Sequence, residues 1–423
     1  MRSTTNPFRF TDKPLSLSLT MILLPFTFFA LLCLYSYRPS FAPFSTTPIT
    51  NQSSLPPTFT PEKQQPYVKP CDYSNGQWVH DKRGPLYNGT TCKIKESQNC
   101  IINGRPDSGY LQWRWKPSEC NLPRFKPHTF LQLIKNKHVA FVGDSISRNQ
   151  LESLICLLTT ASTPHRVHHQ GSRRWNFPSH NANLSFYWSP FLVKGAQRKF
   201  PVPLYNTIHL DHVNNRWARD MDQMDLIVLS FGHWFLVPSI YYEGDSVVGC
   251  SNYPGLNCTD IGFYSPLRKA IRTTLNSIIE RREAEGNTNR IDVIMRTFSP
   301  SHFKGDWDKG GTCAKSEPYR KGEKQLEGMD AEIRRIEMEE VESAKGKAKQ
   351  LGFRLELMDV TELALLRPDG HPGAYMKPFP FANGVVQEHV QSDCVHWCVP
   401  GPIDTWNEFF LEIMKKWEEQ PKE

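Results

Sequence analysis

The chain has 423 residues, 50 of them Lys or Arg against 43 Asp or Glu, a formal charge of +7 and a pI near 8.7. That length supplies an ample core for one large domain or two ordinary ones. The basic excess is mild, interleaved with acids and free of long Lys/Arg runs, so it describes an ordinary solvated surface and excludes a nucleic-acid partner.

Residues 1–14 form a short basic tail, with Arg2, Arg9 and Lys13 opposed only by Asp12. Leu15 to Tyr37 carries no charged side chain, and its length suits a hydrocarbon layer of about 30 Å. The preceding charges favour a cytosolic N-terminus and a body on the far side. The rival is a cleaved signal peptide; the apolar run exceeds the usual hydrophobic region of about 7–15 residues, although Pro25 interrupts it. Either reading sends the body into a secretory compartment. Residues 38–70 are rich in Pro, Ser, Thr and Gln without periodicity, the composition of an extended stalk. Anchor, stalk and body in that order match the layout of type II Golgi enzymes.

Residues 71–124 are dense in Cys, Gly, Trp and turn residues and read as a disulfide-held cap. Of 11 cysteines, Cys33 lies in the apolar span. The other ten are Cys71, Cys92, Cys100, Cys120, Cys156, Cys250, Cys258, Cys313, Cys394 and Cys398. An even number in a lumenal body reads as disulfides. Cys250 and Cys258 bracket a short loop and should pair locally; the remaining pairings stay open. Cys394 and Cys398 enclose His396, but no second Cys/His set completes a zinc pattern, so no metal is expected. Sequons at Asn51, Asn88, Asn183 and Asn257 are candidate glycan sites.

From residue 125 to 423 the texture changes to apolar strands alternating with helices. Strands are expected at His138–Val142, Leu226–Phe231, Ile291–Phe298 and Arg354–Asp359, and helices at Asn149–Leu158 and Met329–Leu351. The alternation predicts an α/β domain with a mainly parallel sheet covered on both faces.

Two motifs carry chemistry. Gly143-Asp144-Ser145 follows the first buried strand and opens a helix, where an open α/β sheet places ligands. Helix N-terminal amides there offer N–H groups to a developing oxyanion; the bland reading is a helix cap. Asp393 and His396 are spaced so that one turn presents both side chains together. A serine hydroxyl becomes a nucleophile when an imidazole takes its proton and a carboxylate holds that imidazole's tautomer. Ser145, His396 and Asp393 are therefore the candidate catalytic residues of an acyl-transfer site. His371, near Asp369, is the nearest rival base, but its Pro/Gly surroundings suggest a surface turn. His233, with Gly232 and Trp234 after a strand, could line the same cleft.

This combination resembles the trichome-birefringence-like family of plant polysaccharide O-acetyltransferases, relatives of the GDSL/SGNH esterases. The family's GDS motif is matched at Gly143–Ser145, its DxxH motif at Asp393–His396, and its N-terminal module at Cys71–Gly76 and Arg105–Pro117. The segments Gly232–Trp234 and Arg367–Gly373 look closest to members that acetylate xyloglucan side chains. The resemblance implies an SGNH-hydrolase-like three-layer sandwich, a lumenal Golgi location, and transfer through an acetyl-serine to a cell-wall polysaccharide. The acetyl donor would be acetyl-CoA or another acetyl carrier, with a membrane protein as a possible supplier. No bound cofactor is expected.

One departure concerns the oxyanion hole, because no Gly-x-Asn-Asp segment supplies a second donor. Gly143, Arg148, Asn149 and Gly232 are the candidates. Tyr110, Trp113 and Trp115, with His233 and Trp234, are candidate sugar-binding residues; for the first three, packing of the cap is an equal alternative. The rival functions are a carbohydrate esterase with the same triad, an acetyltransferase of xylan or mannan, and a non-catalytic pectin-binding protein.

Overall fold

The computed structural model describes residues 71–419 apart from 170, 200–201, 253–256, 285–290, 308, 314 and 385–389. The tail, apolar span, stalk and Asn51 lie outside the described residues, among which no helix is long and apolar enough to cross a membrane.

Along the chain the elements are β1 (Gly76–His80), β2 (Trp113–Pro117), α1 (Pro127–Leu133), β3 (His138–Gly143), α2 (Ser145–Thr159), β4 (His165–His169), β5 (Ser172–Phe177) and β6 (Ala182–Trp188). There follow β7 (Val193–Ala196), β8 (Asn206–Val213), α3 (Asn215–Ala218), β9 (Leu226–Ser230), β10 (Ser239–Glu243), β11 (Ser246–Ser251) and α4 (Tyr264–Ala284). The last are β12 (Asp292–Arg296), α5 (Gly328–Gln350), β13 (Leu355–Met358), α6 (Thr361–Leu365) and α7 (Asp404–Glu419).

The main sheet has seven strands in the order β13-β12-β9-β3-β6-β5-β4. Its first five are parallel, and β5 and β4 add an antiparallel edge. A second sheet, β11-β10-β8-β7, and a β1–β2 ribbon complete the set. The five parallel strands make the sheet mainly parallel, as expected; the antiparallel edge is formed by short strands rich in His, Arg and Asn, which lack the apolar runs that mark buried strands.

Strand periodicity of two splits the apolar side chains between the faces of the sheet. Val139 and Phe141 of β3 and Leu226 and Val228 of β9 join one core with α1, α2 and α7. Ala140, Val142, Ile227 and Leu229 point into another core with α4 and α5. In α7, Trp406, Phe409, Phe410, Met414 and Trp417 form the buried stripe of an amphipathic helix. Phe410 meets Phe130 and Phe141 edge-on, seating α7 over α1 and β3.

After β3 the chain fills the sheet toward β6, then returns to β9 on the other side of β3. Ligand crevices open at such a reversal, at the carboxyl ends of the strands. Residues 143–145 sit there.

Candidate active site

Gly143 ends β3 opposite Ser230 and Trp188. A Cβ at this position would lie 1.8 Å from the Ser230 carbonyl oxygen, so a side chain would force β3 and β9 apart. Asp144 caps α2: its Oδ1 accepts from the Ile146 N–H at 2.9 Å and the Ser147 N–H at 3.4 Å. This cap starts the helix at Ser145, four residues before the expected Asn149. The cap and the candidate nucleophile are therefore different residues. Asp144 is fully buried while Ser145 stays partly accessible at the first helical position, where the N–H has no partner within the helix.

The second motif folds as one tight turn. Asp393 Oδ1 accepts from the Val395 N–H at 3.1 Å and the His396 N–H at 2.9 Å. Its Oδ2 lies 2.8 Å from His396 Nδ1. Burial pushes the Asp393 carboxyl up, but the His396 imidazole and these hydrogen bonds outweigh it and hold the group well below the usual carboxylate range. An ionised Asp393 keeps the proton on Nδ1, which leaves the lone pair on Nε2. His396 Nε2 is buried and has no hydrogen-bond partner among the described residues, Ser145 included. Such contacts commonly tighten only when substrate is bound.

Asn149, one helical turn past Ser145, joins the motifs. Its Nδ2 donates to the Trp397 carbonyl at 3.2 Å and to Gln98 Oε1 at 3.2 Å, while its Oδ1 accepts from the Trp397 N–H at 2.7 Å. The amide thus brackets the peptide next to His396 and is committed as a positioning group, which removes it from the oxyanion candidates. Behind the turn, Gly373 N–H donates to the Asp393 carbonyl at 2.9 Å and the Asp393 N–H returns to Gly373 at 3.0 Å. His371 Nδ1 donates to the His396 carbonyl at 2.7 Å. His371 is 3% exposed, so the expected surface turn is instead a buried strut.

Disulfides pin both sides. Cys394 is bonded to Cys313 and Cys398 to Cys100, the latter across 298 residues. Cys71–Cys120, Cys92–Cys156 and the local Cys250–Cys258 complete five bridges from the ten cysteines. Cys394 and Cys398 are thus tied outward rather than to each other.

The aromatic candidates divide. Trp115 is fully buried, edge-on to Trp78, and donates from Nε1 to the Tyr73 carbonyl; Tyr110 is 2% exposed beneath the Arg105 guanidinium. Neither can stack on a sugar here. Trp113 and Tyr110 line a cavity of ≈ 70 Å³ that also touches Leu157. Leu157 lies twelve residues along α2 from Ser145, about 18 Å at 1.5 Å per residue. These three residues therefore pack the cap. By contrast, His233 stacks on Phe298 with centroids 4.5 Å apart and places Nδ1 3.8 Å from Asp144 Oδ2, beside the motif. Trp234 meets Trp188 edge-on at 6.1 Å. Gly232 has φ +137°, and a Cβ there would lie 2.7 Å from Phe298. Gly232 and Ser145 each lie two residues beyond the paired Ser230 and Gly143, past the carboxyl ends of the adjacent strands β9 and β3.

Sequence reasoning missed a cleft on the β5 side. Arg148, Arg173, Phe186 and Trp188 line a space of ≈ 380 Å³. Arg173 also borders a neighbouring ≈ 440 Å³ cleft with Lys93, Lys95, Arg166, Glu152 and Trp175. Arg148 Nε lies 3.7 Å from Glu152 Oε1. Glu152 is the one acid among five bases in these linings, and burial pushes its carboxyl up despite the nearby Arg148, Arg173 and Lys95. No motif marks this cleft, because its residues come from four separate segments. Gln98 and His302 were equally silent, although the neighbouring Cys100 was a cue for Gln98.

Of the sequons, Asn88 and Asn257 are exposed. Asn183 lies half-buried in β6, where its Oδ1 accepts from Asn176, and Ser185 of the same sequon is fully buried. That geometry removes Asn183 as a glycan site. Among the described residues no cluster of His, Cys, Asp or Glu is arranged to hold a metal ion.

Comparison with known proteins fits this division of the chain. Residues 122–413 match PC-Esterase, the GDSL/SGNH-like acyl-esterase family found in Pmr5 and Cas1p, and residues 69–121 match the PMR5 N-terminal domain. The chain is 59% identical over 414 residues to xyloglucan O-acetyltransferase 1 of Populus trichocarpa, covering 95% of each. It is 60% identical over 354 residues to xyloglucan O-acetyltransferase 2 of that species, covering 82% of this chain and 83% of the relative. With the Arabidopsis thaliana xyloglucan O-acetyltransferase 1 it shares 51% over 353 residues, covering 82% and 81%. The chain belongs to the PC-Esterase family of GDSL/SGNH-like acyl-esterases and carries the PMR5 N-terminal domain ahead of the catalytic body.

Proposed function

We propose that this protein is an O-acetyltransferase that moves an acetyl group, through an acetyl-serine at Ser145, onto the side-chain galactose of xyloglucan. The observation that carries the reading is the Asp393–His396 couple, bracketed against the first turns of α2 with His396 Nε2 open. The named relatives, similar along nearly the whole chain, support the acceptor.

The reaction runs in two displacements. His396 Nε2 takes the Ser145 proton as Oγ bonds to the acetyl carbonyl carbon; the tetrahedral intermediate collapses, and the leaving group departs with that proton. A sugar hydroxyl then gives its proton to Nε2 and attacks the acetyl-serine, and Ser145 Oγ leaves with the proton returned by His396. Asp393 holds the imidazole's tautomer and offsets its charge. The Ser145 N–H and the N–H of Gly232, past the end of the adjacent strand, serve as oxyanion donors, with Arg148 adding charge. Gly143, locked in the sheet, acts by letting β3 and β9 close.

Trp188, Trp234 and Trp175 offer rings for the acceptor's sugars in place of the cap tryptophans. Glu152 is the one acid lining this cleft with Lys93, Lys95, Arg166 and Arg173, so a neutral polysaccharide leaves most of that positive charge without a matching anion. A phosphate-bearing acetyl donor such as acetyl-CoA supplies one. The body takes the three-layer SGNH arrangement, held in the Golgi lumen by the apolar span at residues 15–37, so the donor is made or delivered across that membrane.

The test uses the full-length protein with radiolabelled acetyl-CoA and xyloglucan oligosaccharides. Label on the oligosaccharide, an acetyl adduct on Ser145 after brief donor exposure, and loss of both in Ser145→Ala are expected. Free acetate without an oligosaccharide ester would make the protein an esterase. For the donor cleft, Arg173→Ala should raise KM for acetyl-CoA about tenfold and leave KM for the oligosaccharide unchanged; the reverse pattern refutes the phosphate-bearing donor.

A further inference from the structure

Behind the candidate base, two buried histidines face each other. His302 Nε2 is 2.8 Å from the Leu365 carbonyl, His302 Nδ1 is 2.7 Å from His371 Nε2, and His371 Nδ1 is 2.7 Å from the His396 carbonyl. The outer contacts are to carbonyl oxygens, which only accept, so each consumes the single proton of a neutral imidazole. Two neutral rings hold two protons, and the inner nitrogens would then oppose two lone pairs at 2.7 Å. The three-bond chain closes only with a third proton.

We propose that His302 and His371 share one proton beyond the neutral complement, and that this proton closes a latch that positions His396 through its backbone carbonyl. The pair is a positioning device, because neither ring reaches the reacting atoms. With the proton bound, Leu365, His302, His371 and His396 form one unbroken chain from the end of α6 to the base. Without it, the inner contact turns repulsive, and His371 must give up either His302 or the His396 carbonyl.

The surroundings of the pair are mixed. Its Trp397 neighbour stacks on His371 with centroids 4.2 Å apart, an arrangement that tolerates a cationic ring. Asp393, on the same turn as His396, and Asp369, paired with Arg367, favour the charge. Arg105, which donates to the His371 and Asp369 carbonyls, and Lys324, ahead of α5, oppose it. Burial is the largest influence on both imidazoles and pushes them below the ordinary histidine range. Burial alone would strip this proton near pH 4 at His302. The latch is closed at the pH where His396 is neutral because the inner bond and the two carbonyl acceptors hold the proton against burial, and it opens as pH rises further. This is opposite in sign to the requirement for an unprotonated His396, whose loss gives the acid limb.

This inference rests on the acyl-transfer reading, and the test keeps the two apart. Acetyl release from 4-nitrophenyl acetate by the full-length protein is followed from pH 5 to 8.5 for wild type, His302→Asn, His371→Asn and His302→Ala. Asn at 302 sets an amide N–H where Nδ1 stood and can donate to His371 Nε2 without an added proton. His302→Asn should keep the acid-side kcat within about threefold and lose the alkaline limb. His371→Asn keeps a donor to the His396 carbonyl and should lose that limb as well. His302→Ala should be slow throughout while melting as one cooperative unit. A wild type with no alkaline limb, or a limb that persists in a folded His302→Asn or His371→Asn, overturns the proposal. Complete absence of Ser145-dependent turnover in wild type would instead remove the acyl-transfer reading beneath it.

Discussion

Asn149 is where the geometry makes its sharpest demand. Replacing it with Ala deletes three hydrogen bonds, two of them to the backbone of Trp397 and one to Gln98. Trp397 is fully buried, so its N–H and carbonyl are stranded away from water. A net bond contributes about 0.5–1.5 kcal/mol and a stranded buried group costs about 1–3, which places the loss at about 2–4 kcal/mol after partial relaxation. The Cys100–Cys398 and Cys313–Cys394 bridges hold the turn at its flanks, so the loss should appear first as local opening. Hydrogen exchange of a peptide spanning residues 393–399 should quicken by roughly 30- to 700-fold, since each 1.4 kcal/mol is a factor of ten. Acetyl transfer should fall by about 10²-fold, the effect of a base displaced by about 1 Å. If kcat falls by that amount while exchange across 393–399 and the melting temperature stay at wild-type values, Asn149 acts on the oxyanion and the bracket reading is wrong.

The other expectations are more compact. Asp393→Asn should retain the fold and lower kcat by about 10⁴-fold, because the amide no longer fixes the His396 tautomer; a loss below tenfold in the pH profile's plateau would remove Asp393 from the mechanism. Asp404 is half-buried, and desolvation of its carboxyl raises it to about 6 even though Ser153, Tyr87 and the Gly401 N–H bond to it. The folded state therefore holds this proton more tightly than the unfolded chain, and stability falls as pH climbs from about 4 to 6. Asp404→Asn should then raise the melting temperature at pH 7.5, by about 1–3 kcal/mol of stability, and not at pH 4; equal shifts at both would refute the linkage. Mild reductant should abolish activity before global unfolding as the bridges beside His396 open, with activity and near-ultraviolet circular dichroism compared over time.

The sequence displayed the proposed reacting groups and hid their support. Ser145 was legible because Gly143 and Asp144 announce a strand-to-helix corner, and Asp393 with His396 because one turn brings them together. Those are local signals. The role of Asn149 was not legible, since an amide can face any partner and Trp397 is 248 residues away. His371 was read as a surface turn from its Pro and Gly neighbours, yet Gly370 is buried against Pro402 and Trp397, where a Cβ would lie 2.4 Å from Pro402. Glycine there marks close packing rather than exposure. Trp113 and Trp115 alternated with Arg114 and Lys116 as a one-sided sugar platform would. Tertiary packing overrode that pattern: Trp115 is sealed against Trp78 by the β1–β2 ribbon. The α4 and α7 helices were missed although their apolar stripes stand in the sequence; Arg268 and Arg272 lie outside the α4 stripe and pair with Glu340 on α5.

The N-terminal module has a part in the site that its domain boundary conceals. Gln98 accepts from Asn149 through its side chain, and its carbonyl accepts from the Val399 N–H at 2.9 Å. Two residues later Cys100 is bonded to Cys398, and Arg105 donates to the carbonyls of Asp369 and His371. Segments near residues 98, 149 and 397 therefore close one hydrogen-bonded ring around the His396 turn, although 51 residues separate the first two and 248 the last two. Each buried backbone group in that ring loses its partner if any segment leaves. The catalytic body and its cap are on this account one cooperative unit, with the proposed nucleophile supplied by α2 and the placement of the proposed base supplied jointly by the N-terminal domain.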